Sequence, residues 1–288
     1  MSEDIDCLAE KLQLSHDETL ARLKEMYDGY HFTWPSPDVY NPFSLLNCMA
    51  TKKLEAYWFG SGTPTYLIEM MRKFHLEPNA LGETCKASKD DFDAPTETLS
   101  AITPLFYQSG YYTIKDYDPE LELYTLDVPN KEIRVGLFKA LLPNYLERST
   151  EKGHVTIAYM SKHIKHNEID TALQLLQTLL ETVPYCNGAK GEGYYQQMLY
   201  VIVALLTPYR IGVEQHTAKD RTDITLETAD HIYIMELKFG KSATEAMQQI
   251  EERNYASAFA LRGKPITKVG IAFDADELHN LTEWIVKD

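Results

Sequence analysis

A run of apolar, β-forming residues at 232–237 contains one carboxylate, Glu236, and is followed at once by Lys238. Side chains two positions apart on a strand lie on the same face of the sheet. The run therefore predicts a strand that carries a carboxylate and an ammonium group side by side at its end. No other lysine in the 288 residues has an acidic residue two positions before it.

The pattern around this strand predicts a domain of mixed helix and sheet. We expect a helix at 194–206, strands at 210–216, 221–228 and 231–238, a helix at 243–260, a strand at 267–273 and a last helix at 276–286. The first six of these elements have the order αβββαβ. Asn187-Gly188 and two further glycines in the stretch 184–193 predict a boundary, so that the domain comprises residues 188–288.

Residues 1–187 predict a mostly helical region with one β-hairpin. Apolar residues recur at helical spacing at 3–26, 43–53 and 155–183, and in the stretches after Pro64 and Asn130. β-Forming residues at 111–114 and 121–126 flank a turn that ends in Asp118-Pro119, which predicts the hairpin. The polar stretch 83–99 predicts a loop or a short helix.

The charge of the chain limits how it can meet nucleic acid. The formal net charge is −15, which argues against a protein that coats nucleic acid electrostatically. This charge leaves room for an enzyme that touches a few phosphates through metal ions. Residues 190–288 carry 11 basic and 15 acidic side chains, so the region of the Glu-x-Lys strand is the less acidic part of the chain.

The sequence also predicts where the protein resides. No run of about eighteen apolar residues is present, so we expect no transmembrane helix and no membrane partner. The acidic start lacks the basic and apolar segments of a signal peptide, which predicts a cytoplasmic protein. The four cysteines are scattered without a CxxC pair, which predicts reduced thiols and not a zinc site or disulfide framework.

Asp223 provides a second carboxylate, in the strand that precedes Glu236. A hairpin around residues 229–230 can bring the two acids together. Two neighbouring carboxylates repel each other, and a divalent cation is a common resolution. Mg²⁺ or Mn²⁺ would be held by Asp223, Glu236, the backbone carbonyl of Leu237 and a phosphate oxygen, with Glu192 near the start of the preceding helix as a further carboxylate.

Such a site has the parts for phosphodiester hydrolysis. A metal ion polarises the phosphate, lowers the pKa of a bound water and steadies the leaving oxygen. A lysine on the same face, here Lys238, orients that water or stabilises the developing charge. The residues therefore predict metal-dependent nuclease chemistry.

Other interpretations of these residues stay open. Glu236 and Lys238 could form a solvent-facing pair on an edge strand, because the acidic-x-lysine spacing alone is a weak signal. His163 and His166 have helical metal-binding spacing, but the lysines beside them and the absence of an adjacent carboxylate favour a solvated face. The nineteen tyrosines could stack on single-stranded nucleic acid, but they lack interleaved basic residues, which favours core packing.

Several motifs together resemble one family. In the C-terminal region they are Glu192-x-x-Tyr195, Arg221-Thr222-Asp223, residues 232–238, residues 246–250 and Tyr255-Ala256; upstream they lie at 27–32, 39–42, 57–64, 110–114 and 129–132. These motifs are similar to the PD-(D/E)XK nuclease domain of bacterial AAA-ATPase-like proteins, many from gut Bacteroidetes, and to the region that precedes it. The resemblance covers nearly the whole chain, and its motifs are specific in combination.

The resemblance implies a role for each of six catalytic residues. Asp223 and Glu236 would be the metal ligands and Lys238 the catalytic lysine. Glu192 would be the carboxylate of the preceding helix, while Gln249 and Tyr255 would lie beside the site on the following helix. Apart from the resemblance, Gln249 and Tyr255 could be ordinary helix residues.

The chain departs from the family pattern in three places. Thr222 stands where the motif has proline, which leaves the metal chemistry intact, and Gln196 stands where many relatives have histidine, so Gln196 receives no role. Relatives usually begin with a P-loop ATPase domain. Here Gly240-Lys241-Ser242 lacks the glycine five positions earlier and follows the Glu-x-Lys strand, so no phosphate-binding loop and no ATP dependence are predicted.

Two main functions are predicted. The first is a Mg²⁺- or Mn²⁺-dependent DNA nuclease with a restriction-endonuclease-like αβββαβ core and a mixed sheet, serving defence against, or maintenance of, mobile genetic elements. The second is an inactive nuclease fold that serves binding or regulation in an ATPase-associated system. In both, residues 1–187 form a helical, winged-helix-like region that positions the C-terminal domain or contacts a protein partner. A helical scaffold with an incidental Glu–Lys strand is the third alternative.

Overall fold

The strand that carries Glu236 and Lys238 lies in the middle of a five-stranded sheet in the computed structural model of the protein. The structure describes residues 2–61, 65–82, 84–95, 101–144, 150–181, 192–206, 212–218, 221–274 and 281–288. The chain divides into two units, Met1–Ala140 and Leu141–Asp288. The predicted boundary at 187/188 lies outside the described residues and stays a prediction, as does the winged-helix-like character of residues 1–187.

The first unit is mainly helical and contains the predicted hairpin. Its helices are α1 (Ser2–Leu12), α2 (His16–Tyr27), α3 (Pro42–Thr51), α4 (Thr65–Lys73), α5 (Lys89–Phe92), α6 (Thr103–Gln108) and α7 (Lys131–Leu141), with 3-10 helices at Trp58–Ser61 and Pro78–Gly82. Strands β1 (Cys85–Ala87), β2 (Thr113–Asp118) and β3 (Leu123–Asp127) form an antiparallel sheet in the order β1-β3-β2. The stretch 83–99 thus contains β1 in addition to a short helix.

The single helix predicted at 3–26 is wrong, because a capping box interrupts it. Gln13 has a positive φ of 56°, and α2 begins after Ser15. The Ser15 hydroxyl accepts a hydrogen bond from the backbone N–H of Glu18, and the Glu18 carboxylate accepts one from the backbone N–H of Ser15. This reciprocal pair satisfies the free N–H groups at a helix start, so Ser15-x-x-Glu18 starts a second helix.

The second unit contains the predicted αβββαβ order. Its helices are α8 (Thr150–Lys165), α9 (Ile169–Glu181), α10 (Glu192–Ala204) and α11 (Ala243–Glu252), with 3-10 helices at Leu142–Asn144 and Tyr255–Arg262; its strands are β4 (Gly212–Ala218), β5 (Arg221–Glu227), β6 (Ile232–Phe239), β7 (Ile266–Phe273) and β8 (Leu281–Lys287). The strand order is β4-β5-β6-β7-β8. β6 and β7 are parallel and the other neighbours antiparallel, so the sheet is mixed, as predicted.

Two helices predicted in this unit end earlier than expected. The helix predicted at 155–183 is two helices, since Asn167 has a positive φ of 60° between α8 and α9. The helix predicted at 243–260 ends at Glu252, because Asn254 has a positive φ of 49°, and continues as the 3-10 helix Tyr255–Arg262. None of the described helices is long and apolar enough to cross a bilayer.

The last helix predicted at 276–286 is wrong for residues 281–286, which belong to β8; residues 276–280 lie outside the described part. β8 pairs with the far side of β7, from Lys268–Lys287 to Phe273–Leu281. Thr282, Trp284, Ile285 and Val286 favour a strand because their branched or aromatic side chains suit a pleated surface. Pairing with the edge of β7 therefore makes residues 281–287 a strand, although their local sequence pattern resembles that of a helix.

Helices cover both faces of β6. Ile232 and Ile234 pack with Met247 and Ile250 of α11 on one face. On the other face the Tyr233 hydroxyl lies 3.2 Å from the Ile164 carbonyl oxygen and 2.9 Å from Asn167 Oδ1, between α8 and α9. Strands buried on both faces are mostly apolar, which explains the run at 232–237. Glu236 is the exception in this run and is a buried carboxylate.

Candidate active site

Glu236 and Lys238 form a buried ion pair on β6. Lys238 Nζ lies 2.8 Å from Glu236 Oε1, and the side chains are 7% and 0% exposed. The two positions share a face because they lie two apart on one strand. The alternative of a solvent-facing pair on an edge strand is therefore wrong: β6 is the central strand, and the pair is inside the protein.

Gln249 on α11 completes a chain of three side chains. Its Oε1 accepts a hydrogen bond of 2.6 Å from Lys238 Nζ. Since lysine only donates, the amide oxygen faces the ammonium group and the amide nitrogen is left as a donor. Gln249 Nε2 is buried and has no hydrogen-bond partner among the described residues. The site therefore contains a spare N–H donor beside the ammonium group.

The position of α11 is fixed at two points. Ser242 and Glu245 form a capping box at its first turn, and hydrogen bonds from Ser242 hold the pKa of the Glu245 carboxyl below its usual value. Gly270 on β7 lets the helix approach the sheet, because a Cβ at this position would lie 2.5 Å from the Ala243 carbonyl oxygen and 2.7 Å from Met247 Cγ. These contacts place Gln249 over Lys238.

Asp223 lies directly opposite Glu236. The antiparallel ladder of β5 and β6 pairs Thr222 with Leu237, Asp223 with Glu236 and Ile224 with Met235. Opposed positions of a ladder share one face of the sheet, with Cβ atoms about 5 Å apart. The predicted hairpin thus brings the two acidic positions together on the face that α11 covers.

The other predicted site residues are described only by their backbone. Glu192 is the first residue of α10, and Tyr255 begins the 3-10 helix after α11. The structure describes the backbone but not the side chains of Glu192, Asp223 and Tyr255. Their roles, and that of the Leu237 carbonyl, stay predictions. Among the side chains that are described, no three or more His, Cys, Asp or Glu residues form a group that could hold a metal ion.

His216 is a position that the sequence analysis missed. The β4–β5 ladder pairs His216 with Asp223, so His216, Asp223 and Glu236 occupy one row across three strands. A row of this kind lies on one face of the sheet. Side chains alternate between the two faces along residues 212–218. This alternation alone does not show whether His216 shares a face with Asp223, because that depends on the register of β4 and β5.

The competing histidine pair has local partners. His163 Nδ1 lies 2.5 Å from Glu168 Oε2, so a carboxylate does lie beside it, contrary to expectation. His166 Nδ1 lies 2.7 Å from the carbonyl oxygen of Lys162. The two imidazole rings therefore have separate partners at the end of α8.

Comparison with known proteins identifies a family for most of the C-terminal third of the chain. Residues 190–284 match the family model of the PD-(D/E)XK nuclease superfamily. The predicted restriction-endonuclease-like fold with an αβββαβ core is therefore confirmed. The resemblance of the upstream region to AAA-ATPase-like proteins stays a prediction.

A relative covers most of the chain. A protein of Azotobacter chroococcum mcd 1, described as an uncharacterized protein in the vnfD 5′ region, is 30% identical over 263 residues, which are 88% of this chain and 50% of that protein. The chain therefore spans about half the length of this relative. No solved structure matches the chain with statistical significance.

Proposed function

We propose that the second unit is a metal-dependent nuclease that cleaves phosphodiester bonds, with Asp223, Glu236 and Lys238 at its centre. A nuclease assignment follows from the superfamily match at 190–284. The observation that carries the finer proposal is the buried contact between Lys238 and Glu236 at the position where β5 brings Asp223 opposite. A buried carboxylate that faces a second acid and an ammonium group is costly for stability alone, and it is expected where chemistry requires it.

The residues fit a hard divalent cation such as Mg²⁺ or Mn²⁺. Asp223, Glu236 and the Leu237 carbonyl offer oxygen atoms, which these ions prefer. Lys238 neutralises one of the two carboxylates, so the acids and the lysine carry a net charge of −1 before Glu192 is counted. A divalent ion reverses this sign and makes the site attractive to a phosphate group.

The chain's own groups would share the work of hydrolysis. The bound cation would supply Lewis acidity toward the scissile phosphate and its attacking water. Lys238 would orient that water or stabilise charge on the phosphate through a hydrogen bond, while Gln249 holds the ammonium group in place. The spare Nε2 of Gln249 would donate to a phosphate oxygen. Tyr255 and Glu192 would border the substrate and the cation.

The preferred substrate in this proposal is DNA. The net charge of −15 argues against broad electrostatic coating of the polymer, so we infer that contact is confined to the cation site and a few donors. Residues 1–187 would position the catalytic domain, residues 188–288, or bind a protein partner. A role with mobile genetic elements is the proposed biological setting.

Cleavage of defined substrates tests the proposal. The full chain should cleave labelled single- or double-stranded DNA when Mg²⁺ or Mn²⁺ is added, and matched RNA more slowly. Asp223→Asn, Glu236→Gln and Lys238→Met should each lower the rate by at least about a hundredfold, since each removes a group that acts on the reacting phosphate. Glu252→Gln and Lys241→Met change the same residue types at exposed positions of α11 and before it, and should keep the wild-type rate.

Two results would count against the nuclease. Cleavage that persists in all three site variants would come from another site or a contaminant. Metal-dependent DNA binding without cleavage, lost in Asp223→Asn, would instead support the alternative of an inactive nuclease fold that serves binding.

A further inference from the structure

The first unit contains a cavity of about 640 Å³. It is lined by residues of the segments 30–32, 39–42, 107–110 and 112–113, together with Trp58. Four of the upstream motifs, at 27–32, 39–42, 57–64 and 110–114, meet at this cavity. The proposed nuclease site uses none of them, so the cavity provides a separate reason for their presence.

Six aromatic rings line the cavity. The rings are Tyr30, Phe32, Tyr40, Trp58, Tyr107 and Tyr112, and no lysine or arginine is among the lining residues. Phe32 and Val39 are 75% and 44% exposed, so the cavity opens to solvent beside them.

Carboxylates act on this wall from two sides. Burial and then the charges of Asp28 and Asp38 raise the pKa of the Tyr40 hydroxyl. Burial and then the charge of Asp93 raise the pKa of Tyr107. Asp38 is also placed by geometry, because its carboxylate contacts the ring of the lining residue His31 and its side chain is 61% exposed.

The basic group in the wall is already paired. His31 Nε2 lies 2.8 Å from Asp38 Oδ1, and His31 Nδ1 lies 2.9 Å from Ser36 Oγ. A ligand with a carboxylate or phosphate would therefore find no lysine or arginine among the lining residues and would meet the Asp38 carboxylate beside His31. A ligand with positive charge would gain from the acids and from the aromatic rings, whose faces attract cations.

We propose that this cavity binds an organic cation with an apolar body, namely an alkylammonium, quaternary ammonium or guanidinium group. The aromatic rings contact the apolar body and the charged head, and Asp38, which contacts His31 in the wall, supplies the opposite charge. The cation is either a free amine or the side chain of a lysine or arginine in another polypeptide. This site is independent of the nuclease proposal.

Three probes of nearly the same shape test the charge preference. Choline is the cation, 3,3-dimethyl-1-butanol is its neutral counterpart, and 3,3-dimethylbutanoate is the anion. Binding to the full chain is measured by saturation-transfer NMR and calorimetry. Choline should bind at least about threefold more tightly than the alcohol, because the cation–ring attraction is lost in the latter, and the anion should bind more weakly than both.

Variants place the binding at this cavity. Phe32→Leu keeps an apolar side chain but removes an exposed ring, and should weaken choline binding about threefold with unchanged unfolding. Asp38→Asn should weaken choline binding and leave the alcohol unaffected. Tyr66→Leu removes a ring that is 56% exposed outside the cavity, and should change neither.

The source of the cation is tested with N-acetyl-lysine amide and N-acetyl-arginine amide. Tighter binding of either than of choline assigns the ligand to a protein side chain, and the reverse order assigns it to a free amine. The proposal is overturned if the alcohol or the anion binds as tightly as choline. It is also overturned if no cation binds, or if Phe32→Leu and Tyr66→Leu have the same effect.

Discussion

Asp223 and Glu236 occupy directly opposed positions on the antiparallel strands β5 and β6, next to the buried ammonium group of Lys238. Opposed positions bring two acids within reach of one ion. The consequences concern stability as well as catalysis, because the charges of Glu236 and Lys238 are almost completely removed from water.

Lys238→Met should separate the two effects. The change removes the ammonium group that neutralises Glu236 and should lower the free energy of unfolding by about 3 kcal/mol. The double variant Glu236→Gln/Lys238→Met should recover most of this loss, since it buries no charge in the pair, yet remain inactive. Urea unfolding and a cleavage assay measure the two quantities. A double variant as unstable as Lys238→Met would show that the ion pair does not set the stability here.

Gly270→Ala should displace α11. The added Cβ would lie 2.5 Å from the Ala243 carbonyl oxygen and 2.9 Å from the Met247 backbone nitrogen, so the helix must move. We expect a loss of about 1–3 kcal/mol in unfolding free energy and a lower cleavage rate, because Gln249 moves away from Lys238. Gly263→Ala is the matched control: its φ of +66° makes it costly, but the new Cβ meets nothing within 4 Å. Equal loss of activity in both variants would contradict a positioning role for α11.

Glu132→Gln should change how stability depends on pH. Burial raises the pKa of the Glu132 carboxyl above its usual 4.5, although hydrogen bonds from Trp58, Ser44 and Tyr57 oppose the shift. A raised pKa means that the contribution of this group to stability is fully present below pH about 4.5 and is lost as the pH rises through the folded-state value. Glutamine does not titrate. Urea unfolding from about pH 4 to 7 should show wild type losing stability relative to the variant, and a constant difference would contradict this.

The predicted fold fails mainly where distant contacts decide local structure. The αβββαβ order was readable because each element has a clear periodicity. The strand β8 was missed because its pairing with β7 cannot be seen in residues 281–287 alone. The break between α1 and α2, by contrast, is encoded locally, because Ser15-x-x-Glu18 forms the capping box that starts α2.

In the candidate site, too, local sequence determines some contacts and distant parts of the chain determine others. Glu236 and Lys238 are joined by strand spacing, and the Asp223 position follows from a hairpin, so these were predictable from the residues. The contact of Gln249 with Lys238 depends on how α11 crosses the sheet over Gly270, and spacing alone gives Gln249 no role. His216 was missed because its row depends on the register of β4 and β5.

The domain boundary gives a prediction about fragments. Tyr233 on β6 bonds to the turn between α8 and α9, and Gln177 of α9 donates to the Leu281 carbonyl oxygen of β8. Residues 188–288 alone would expose this apolar face of the sheet. We therefore expect fragment 141–288 to fold with a cooperative thermal transition and fragment 188–288 to aggregate or unfold, as judged by circular dichroism. A stable 188–288 fragment would support the boundary predicted from the glycines.

Binding of Mn²⁺ tests the shared cation site most directly. Calorimetry of the full chain should show Mn²⁺ binding that is lost in Asp223→Asn and in Glu236→Gln, and retained in the exposed control Glu252→Gln. Loss in both acidic variants is expected because neither carboxylate alone offers enough oxygen ligands. Mn²⁺ binding that is unchanged in Asp223→Asn would mean that the two acids do not hold a common ion.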